Sequence, residues 1–289
     1  MGETSDVASQ RIVLTGASGF IGQHLQRRLL TDGYQLSALL RPQSNHADRI
    51  LPSVECIRVN LNDATELKRI IQSADVVIHC AGSVRGGDVE DFMAANVDAL
   101  RHLCNAIASA ESQARLLVMS SLAAERPHLS NYAASKRAGE DIVLNSALRH
   151  WVILRPPAVY GQGDKEMRPL FQSIRRGLAL IIGPREQRLS LLHVTDLAAA
   201  VSTVLRRYDA CSGKIFDLDD GKSNGYSWPE LIEQARGRMP VLSLRIPRGV
   251  LSVLAQLNIR LARLAGYSPM LTPGKVCELS ASSWLCNNQ

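Results

Sequence analysis

The segment Thr15-Gly16-Ala17-Ser18-Gly19-Phe20-Ile21-Gly22 directly follows the apolar run Ile12–Leu14. A β-branched run that opens into Gly-x-x-Gly-x-x-Gly, and then into apolar residues three or four apart, predicts a strand, a tight turn and a helix start. Glycines let the backbone approach an anion closely, and the free N–H groups and dipole of a helix start favour negative charge. We therefore expect a phosphate site here, with an ordinary strand-to-helix turn as the alternative. The spacing is one residue longer than the standard dinucleotide fingerprint.

Length and composition describe a globular chain with room for one large domain and a smaller one. The chain has 289 residues, 46% of them hydrophobic. No apolar run reaches the roughly 18 to 20 uncharged residues of a membrane-spanning helix. Residues 1–10 lack the basic and apolar parts of a secretory signal. We expect a cytoplasmic protein.

The cysteines give no sign of a metal site or a disulfide framework. They form no Cys-x-x-Cys pair, and no histidine lies at a metal-binding spacing from them. We expect buried free thiols and no metal. The six are Cys56, Cys80, Cys104, Cys211, Cys277 and Cys286.

Strand and helix patterns alternate through the first half of the chain, which predicts a parallel sheet with crossover helices. After the glycine turn the predicted strands are Gln35–Leu40, Val54–Val59, Asp75–Cys80, Leu116–Met119 and Trp151–Leu154. The predicted helices are Asp63–Ile71, Asp91–Ala110 and Asn131–Leu148. Right-handed crossovers in this order build an α/β, doubly wound, Rossmann-type sheet, with its ligand at the carboxyl edge of the strands.

The residues that follow the second and third strands bear on the choice of cofactor. An acidic residue there usually binds the ribose of NAD, whereas an arginine accommodates the 2′-phosphate of NADP. Here the second strand ends in Arg41, which favours NADP over NAD; stacking on an adenine or exposure to solvent are the alternatives. After the third strand, Asn60 is a candidate to hydrogen-bond the adenine edge. We expect Asp63 to cap the next helix.

The fourth strand ends in small residues, Ala81 and Gly82, which leave room for a cofactor. We interpret His79 as a strand residue rather than a ligand or base.

Catalytic chemistry is indicated by Ser120 and Ser121 at the end of the fifth strand, followed by Tyr132-x-x-x-Lys136. A tyrosine and a lysine four apart share one face of a helix, so the ammonium lies near the phenol. A neighbouring cation favours the phenolate and is expected to lower the pKa of Tyr132. Tyr132 then exchanges a proton with a substrate hydroxyl or carbonyl while hydride moves at a nicotinamide. A serine hydrogen-bonds the same oxygen.

Together these motifs make the chain resemble the short-chain dehydrogenase/reductases, and specifically their extended branch of NAD-dependent epimerases, dehydratases and dihydroflavonol-type reductases. The resemblance covers residues 11 to about 221. It is carried by Thr15-Gly16-x-x-Gly19-x-x-Gly22, the serine pair, Tyr132-x-x-x-Lys136, Arg155-Pro156-Pro157-Ala158-Val159-Tyr160-Gly161 and His193-Val194-Thr195-Asp196-Leu197.

The resemblance implies roles for particular residues. Tyr132 is the acid/base, Lys136 also holds the nicotinamide ribose, and Asn96 supports the site through backbone contacts. It also implies a homodimer and a small-molecule substrate, anionic or nucleotide-linked, with no nucleic-acid partner. The candidate cofactor-binding residues are Gly16, Ser18, Gly19, Phe20, Ile21, Gly22, Arg41, Asn60, Leu61, Ala81, Gly82, Asn96, Tyr132, Lys136 and Pro156.

The chain departs from the family pattern at three places. Leu122 occupies the position of a third Ser or Thr, so which of Ser120 and Ser121 faces the substrate is open. Tyr132 follows Ser121 by only 11 positions, so the loop over the site is short. Nucleotide-sugar enzymes often carry an arginine at the position of Leu189. Here Arg188 is one place away, which puts a diphosphate clamp in doubt.

The prolines at 156 and 157 break a regular ladder, so the chain is expected to leave the sheet there. We expect residues 1–160 to form the cofactor domain and 191–219 to return to it. In that return, a helix starts after Asp196, a structural cap, and the last strand is Lys214–Leu218. Residues 161–190 and 220–289 form a smaller, C-terminal substrate lobe, with a helix starting at Trp228-Pro229-Glu230.

The positive charge of the chain is concentrated near its C-terminus. Between Gln234 and Cys277 there is no Asp or Glu, but there are seven Arg and Lys residues. Apolar residues three or four apart predict an amphipathic helix after Pro247, with Arg248, Arg260 and Arg263 along it. These are Val250, Leu251, Leu254, Leu257, Leu261 and Leu264.

Three interpretations of this helix stay open. The leucines pack on the substrate lobe while the arginines are solvated; or the arginines collect an anionic substrate or an acidic carrier protein; or the helix lies on an anionic membrane.

The sequence as a whole favours an enzyme that moves hydride at a nicotinamide. Arg41 favours a reductase, whereas the motif that begins at Arg155 favours the sugar-nucleotide branch. The sequence does not separate reductase from epimerase or dehydratase. A non-catalytic cofactor-binding scaffold on the same fold is the alternative class, but such relatives usually lose the tyrosine or the lysine, and both are present here.

Overall fold

A central parallel sheet organises the computed structural model, which describes residues 10–110, 113–238 and 240–287. The strands are β1 (Arg11–Thr15), β2 (Gln35–Leu40), β3 (Glu55–Arg58), β4 (Val76–His79), β5 (Arg115–Met119), β6 (Trp151–Arg155), β7 (Ala158–Tyr160), β8 (Leu178–Ile181), β9 (Arg188–Leu189), β10 (Leu191–His193), β11 (Lys214–Asp217), β12 (Tyr226–Ser227), β13 (Leu242–Arg245) and β14 (Ser283–Trp284). Seven of them form one sheet in the order β11-β6-β5-β4-β1-β2-β3, and every pairing in it is parallel. The strand order reverses at β1, which puts a crevice at its carboxyl end.

Helices cover both faces of this sheet. They are α1 (Phe20–Thr31), α2 (Ala64–Gln72), α3 (Val89–Met93), α4 (Ala99–Ser109), α5 (Asn131–Leu144), α6 (Arg168–Arg175), α7 (Val194–Arg206), α8 (Tyr208–Cys211), α9 (Trp228–Ala235), α10 (Arg248–Ala265) and α11 (Pro273–Leu279). Alternate residues of β1 enter opposite cores: Ile12 and Leu14 pack with α1 and α7, and Val13 packs with α2 and α4. Because both faces are covered, the central strands β1, β4, β5 and β6 are mostly buried and apolar, whereas the edge strand β3 is largely exposed. The fold class predicted from the sequence is confirmed.

The predicted helix over 91–110 is one helical run with an interruption. Between α3 and α4, residues Ala94–Asp98 form a π-helical turn that contains the buried side chain of Asn96. Such turns widen a helix locally and are frequent at functional sites. The next predicted helix starts at Asn131 as expected but ends at Leu144 rather than Leu148.

One predicted helix cap is confirmed and one is wrong. The Asp63 side chain accepts a hydrogen bond from the Glu66 N–H at the start of α2. In contrast, α7 begins before Asp196, at Val194, and its N-cap is His193, whose side chain accepts from the Thr195 N–H. Asp196 lies in the first turn, where a carboxylate complements the helix dipole.

The chain leaves the central sheet at Pro156, as predicted. The strands outside that sheet form three small sheets, β7 with β10, β8 with β13, and β9 between β12 and β14. β11 returns to pair with β6. The helix α9 begins at Trp228 behind a capping box made by Ser227 and Glu230.

The structure bears on one of the three open interpretations of α10 and corrects the expected burial of the cysteines. Of the predicted apolar stripe on α10, only Leu251 is buried, so the leucines do not pack on the rest of the protein as a set. All six cysteines are free, but only Cys104 is buried, and Cys56, on the edge strand β3, is exposed.

Candidate active site

The glycine turn after β1 forms a tight cradle that excludes side chains. Gly16 has φ of +72°, and a Cβ there would lie 2.6 Å from the Ala81 nitrogen. A Cβ on Gly22 would lie 2.1 Å from the carbonyl oxygen of Gly16. The Gly19 N–H donates to that same oxygen over 3.0 Å. Close packing of turn, helix and strand is what a dinucleotide pyrophosphate requires.

The helix start behind this turn is open to an anion. Gly19 is the N-cap of α1, no side chain caps the helix, and its first turn contains no acidic residue. Ser18, Phe20 and Ile21 are only half-buried at this end. The first N–H groups of α1 thus have the geometry and the dipole to bind phosphate. These residues fit a nicotinamide dinucleotide.

The other cofactor candidates lie at the same edge of the sheet, because each follows a parallel strand at its carboxyl end. They are Arg41 after β2, Asn60 and Leu61 after β3, Ala81 and Gly82 after β4, and Pro156 after β6. The topology therefore brings these residues to one side of the crevice.

Arg41 and Asn60 lie on the half of this edge formed by β2 and β3. Arg41 is exposed. Beside it, Arg58 holds the following loop by donating from Nη1 to the carbonyl oxygens of Pro42 and Ser44, 2.8 and 3.0 Å away. The Asn60 Oδ1 accepts from the Asn62 N–H. A contact between Asn60 and adenine stays a prediction.

Asn96 ties the loop after β4 to the helix that carries Tyr132. Its Oδ1 accepts from the Ser83 N–H at 2.8 Å, and its Nδ2 donates to the Ser83 carbonyl oxygen and to the Ser135 hydroxyl. A Cβ on Gly82 would lie 2.6 Å from Asn96 Oδ1 and 3.7 Å from Lys136 Nζ. Gly82 and Lys136 are therefore neighbours across the crevice.

His79 is a buried strand residue, as interpreted from the sequence. Its Nδ1 lies 2.9 Å from the Thr15 hydroxyl, and burial lowers its pKa to about 3. A neutral imidazole bonded inside the sheet links β4 to β1.

The Tyr132 phenol lies near the hydroxyl of Ser121, whose oxygen also accepts from the Ala123 N–H at 3.2 Å, and the Tyr132 ring lies 6.2 Å from the Phe92 ring. Burial raises the pKa of Tyr132 to about 12, although the nearby Ser121 hydroxyl acts in the opposite direction. The expectation that Lys136 lowers this pKa is wrong for the protein without cofactor: burial dominates, and Lys136 is not among the groups that act on the phenol. The phenol is a neutral acid at ordinary pH.

The ammonium of Lys136 is directed to a backbone carbonyl. Its Nζ donates to the Met119 carbonyl oxygen at the end of β5, 2.8 Å away. Burial lowers the pKa of Lys136 to about 8, with the nearby Cys80 and Glu140 acting in the opposite direction. Lys136 is thus a cation near neutral pH that loses its charge in mildly alkaline solution.

The two serines point to different partners. The Ser120 hydroxyl is buried and donates to Glu140 Oε1 over 2.5 Å. Glu140 also accepts two hydrogen bonds from the Arg155 guanidinium, at 2.9 and 2.6 Å. Ser120 therefore belongs to a buried polar network between β5, β6 and α5, and Ser121 is the serine beside the phenol.

Two acidic residues near the site were missed in the sequence. Glu140 lies four residues after Lys136 on the same helix, so its spacing was a usable signal. Glu278 on α11 lies far along the chain, yet its carboxylate accepts a hydrogen bond from Ser130, pairs with Lys275 at 2.7 Å, and acts to raise the pKa of Tyr132. No local pattern indicates such a contact.

Comparison with known proteins identifies the family. The model of the NAD dependent epimerase/dehydratase family matches residues 12–218. The chain belongs to this family, and it is an NAD(P)-dependent enzyme of the extended short-chain dehydrogenase/reductase type.

Among similar proteins is a ceramide reductase of Caulobacter vibrioides, 36% identical over 276 residues that cover 94% of this chain and 85% of the relative. A sterol-4-alpha-carboxylate 3-dehydrogenase, decarboxylating, of Dictyostelium discoideum is 24% identical and covers 75% and 73% of the two chains. The crystal structure of the Bordetella bronchiseptica enzyme WbmG in complex with NAD and UDP superposes with a TM-score of 0.65 at 19% identity, over 83% of each chain. This last likeness is one of fold.

Within residues 10–110, 113–238 and 240–287, no group of three or more His, Cys, Asp or Glu side chains could hold a metal ion. Among the helices of the same described ranges, none has the length and apolar character needed to cross a bilayer.

Proposed function

We propose that this protein reduces a ketone of a ceramide-type lipid to a hydroxyl, with NADPH as the preferred reductant. The observation that carries the reductive direction is the 36% identity to a ceramide reductase, and the protonated phenol of Tyr132 near Ser121 agrees with it. A reductase needs an acid at the substrate oxygen, whereas an epimerase or dehydratase first needs a base at a hydroxyl. A phenol with a raised pKa is suited to the first task.

The bound cofactor supplies the hydride. Ser121 and Tyr132 hold the carbonyl oxygen of the substrate, and the hydroxyl of Tyr132 gives that oxygen its proton. The carbonyl carbon gains hydride and the oxygen gains the proton, so the product is the alcohol. Lys136, whose ammonium is fixed by Met119, stabilises the phenolate that proton donation leaves behind.

The substrate class is inferred from the ceramide reductase relative and from one departure in the site region. In nucleotide-sugar enzymes an arginine near the position of Leu189 would clamp a diphosphate. Here Arg188 Nη1 lies 3.3 Å from the Glu230 carboxylate, with the carbonyl oxygen of Asn224 at 3.4 Å. An arginine already neutralised by a carboxylate is a poor diphosphate ligand. This favours a substrate without a nucleotide.

The preference for NADP rests on Arg41, which follows β2 where an acidic ribose ligand would stand. Its guanidinium is exposed at the cofactor edge, while its neighbour Arg58 is engaged with the loop. A planar guanidinium binds a 2′-phosphate by charge-assisted hydrogen bonds. Residues 161–190 and 220–287 supply the substrate side of the crevice in this proposal.

Product analysis tests the proposal directly. The protein is incubated with NADPH and a ketone-bearing ceramide in detergent micelles, and lipids are measured by mass spectrometry. We expect a product heavier by two hydrogens, formed in step with NADPH oxidation and absent with Tyr132→Phe. Conversion of a UDP-sugar with no net oxidation of NADPH, and no lipid product, would overturn the proposal in favour of an epimerase.

A further inference from the structure

The helix α10 exposes a continuous apolar stripe. From Val250, the residues four, seven, eleven and fourteen places on are all leucines, and this spacing puts them on one face of a helix. The six members of the stripe are between 47% and 86% exposed: Val250, Val253, Leu254, Leu257, Leu261 and Leu264. Monomeric proteins rarely present so many large apolar side chains side by side unless the patch binds something.

A different face of the same helix is already partnered. Leu251 and Ala255 are buried against Val276 of α11, and Ala262 is buried further along. Since one face accounts for the attachment of α10 to the protein, the exposed stripe is not needed for the packing of the described residues.

The chemistry around the stripe is cationic. Between Gln234 and Cys277 there are seven basic residues and no acidic one. Arg260 and Arg263 are exposed, and within residues 10–110, 113–238 and 240–287 neither forms an ion pair within 4.0 Å. Just before α10, the strand β13 exposes Leu242 and Leu244 next to Leu180 of β8.

We propose that α10 is a membrane-surface helix, which inserts its leucine stripe between the headgroups of an anionic bilayer while its arginines bind lipid phosphates. An apolar stripe bordered by basic residues, on a helix that does not span, is the pattern of an interfacial helix. Each arginine near an anionic surface adds attraction that salt weakens.

A second copy of this chain fits the same surface less well. Pairing two stripes would bring the arginines of both helices close together, and the segment contains no carboxylate to neutralise them. An acidic carrier protein would account for the arginines but not for a stripe of six exposed aliphatic side chains.

The position of α10 gives the docking a role in the reaction, and this part rests on the proposed function. α10 packs on α11, and Glu278 of α11 accepts a hydrogen bond from Ser130, the N-cap of the helix that carries Tyr132. A bilayer at α10 therefore lies one helix away from the catalytic phenol. A lipid substrate would enter the crevice from the membrane without crossing water.

Vesicle co-sedimentation tests the docking without substrate or cofactor. We expect the full chain to bind vesicles of phosphatidylcholine mixed with phosphatidylglycerol roughly tenfold or more tightly than phosphatidylcholine alone, and to be released by salt. The double substitution Leu257→Ser with Leu261→Ser should abolish binding, and Arg260→Gln with Arg263→Gln should weaken it roughly tenfold. Both changes fall on exposed side chains, so folding should survive.

Matched control variants distinguish binding through the stripe from nonspecific hydrophobic adsorption and from the effect of net charge. Leu144→Ser removes an exposed leucine from α5, and Arg27→Gln with Arg149→Gln removes two exposed charges elsewhere. These controls should bind like the unchanged protein. The α10 variants should reduce a water-soluble short-chain ketone at the unchanged rate. This assay therefore distinguishes a loss of membrane docking from a failure of the proposed activity.

The following results would overturn the membrane proposal. One is no binding to anionic vesicles; another is equal loss in the control variants. A third is a protein that does not bind vesicles but forms an oligomer in solution, and whose oligomer dissociates when Leu257→Ser and Leu261→Ser are combined. That result would mean that a second copy of the chain covers the stripe. Salt-sensitive capture of an acidic carrier protein, again without vesicle binding, would assign the arginines to that partner.

Discussion

Lys136 donates a hydrogen bond from its Nζ to the main-chain carbonyl oxygen of Met119, 2.8 Å away. Met119 is the last residue of β5, and Ser121 follows two residues later. The contact therefore fixes α5, the helix that carries Tyr132, against the strand end that precedes Ser121. Tyr132, one helical turn before Lys136, lies near that serine.

Burial of this ammonium makes stability depend on pH in a defined direction. The pKa of Lys136 is about 8 in the folded protein and 10.5 in an ordinary lysine. Between these values the unfolded chain binds the extra proton, so stability rises with pH by at most about 1.4 kcal/mol per unit. Below pH 8 both states are protonated and this contribution is constant.

Urea unfolding at about pH 7 and about pH 9.5 checks this by comparison with Lys136→Met, which has no such group. The free energy of unfolding of the unchanged protein, relative to that of the variant, should increase as the pH rises. Lys214→Met is the matched control, because Lys214 is exposed and its Nζ also donates to a backbone carbonyl, that of Ala210. The same trend in both variants would contradict the argument.

Loss of the phenol should stop the reaction and leave cofactor binding intact. Tyr132→Phe is expected to lower kcat by about 10²–10⁴, because the general acid is removed. The dissociation constant of NADPH, measured by fluorescence titration, should change by no more than a few fold. Tyr34→Phe is the control, because this buried hydroxyl lies before β2 with no hydrogen-bond partner among the described residues. Turnover retained in Tyr132→Phe would remove this residue from the mechanism.

The serine pair should divide into a catalytic and a structural member. Ser121→Ala is expected to lower kcat roughly tenfold to a hundredfold, since it removes a hydrogen bond to the reacting oxygen, and to lower stability by about 1 kcal/mol, since the Ala123 N–H loses its cap. Ser120→Ala should lower the free energy of unfolding by about 1–3 kcal/mol, because Glu140 loses a buried donor. Steady-state kinetics and urea unfolding of both variants test this division of roles. A reversed pattern would assign the substrate contact to Ser120.

Much of the fold was predictable because its signals are local and repeated. The alternation of apolar strands with amphipathic helices is visible in consecutive residues of the sequence. For this reason β2 was predicted with its observed bounds, Gln35–Leu40. The edge that collects Gly16, Arg41, Asn60 and Ser121 followed from topology alone, because parallel strands end on one side.

The features that could not be predicted depend on tertiary contacts. The spacing of Tyr132 and Lys136 predicts a lowered pKa for the phenol, but burial, which no spacing encodes, raises it. Glu278 reaches the site from α11, far along the chain. The periodicity of α10 predicted the helix but not which apolar residues would find partners, and only Leu251 among those named did so.

Arg41 provides a test of cofactor choice at a position away from the reacting atoms. Arg41→Asp replaces a charge-assisted contact to a 2′-phosphate by like-charge repulsion, so NADP binding should weaken roughly tenfold to a hundredfold while NAD binding changes little. Isothermal titration with both cofactors measures this. Arg41→Gln, which removes the charge without adding repulsion, should give an intermediate loss for NADP.

Two further variants show whether the effect belongs to Arg41 itself. Arg149→Asp makes the same charge change at an exposed distant position and should leave both affinities unchanged. Arg58→Gln frees the loop whose Pro42 and Ser44 carbonyls this guanidinium holds, so it should weaken both cofactors alike. Equal losses of NAD and NADP in Arg41→Asp would mean that Arg41 shapes the same loop and does not bind the 2′-phosphate.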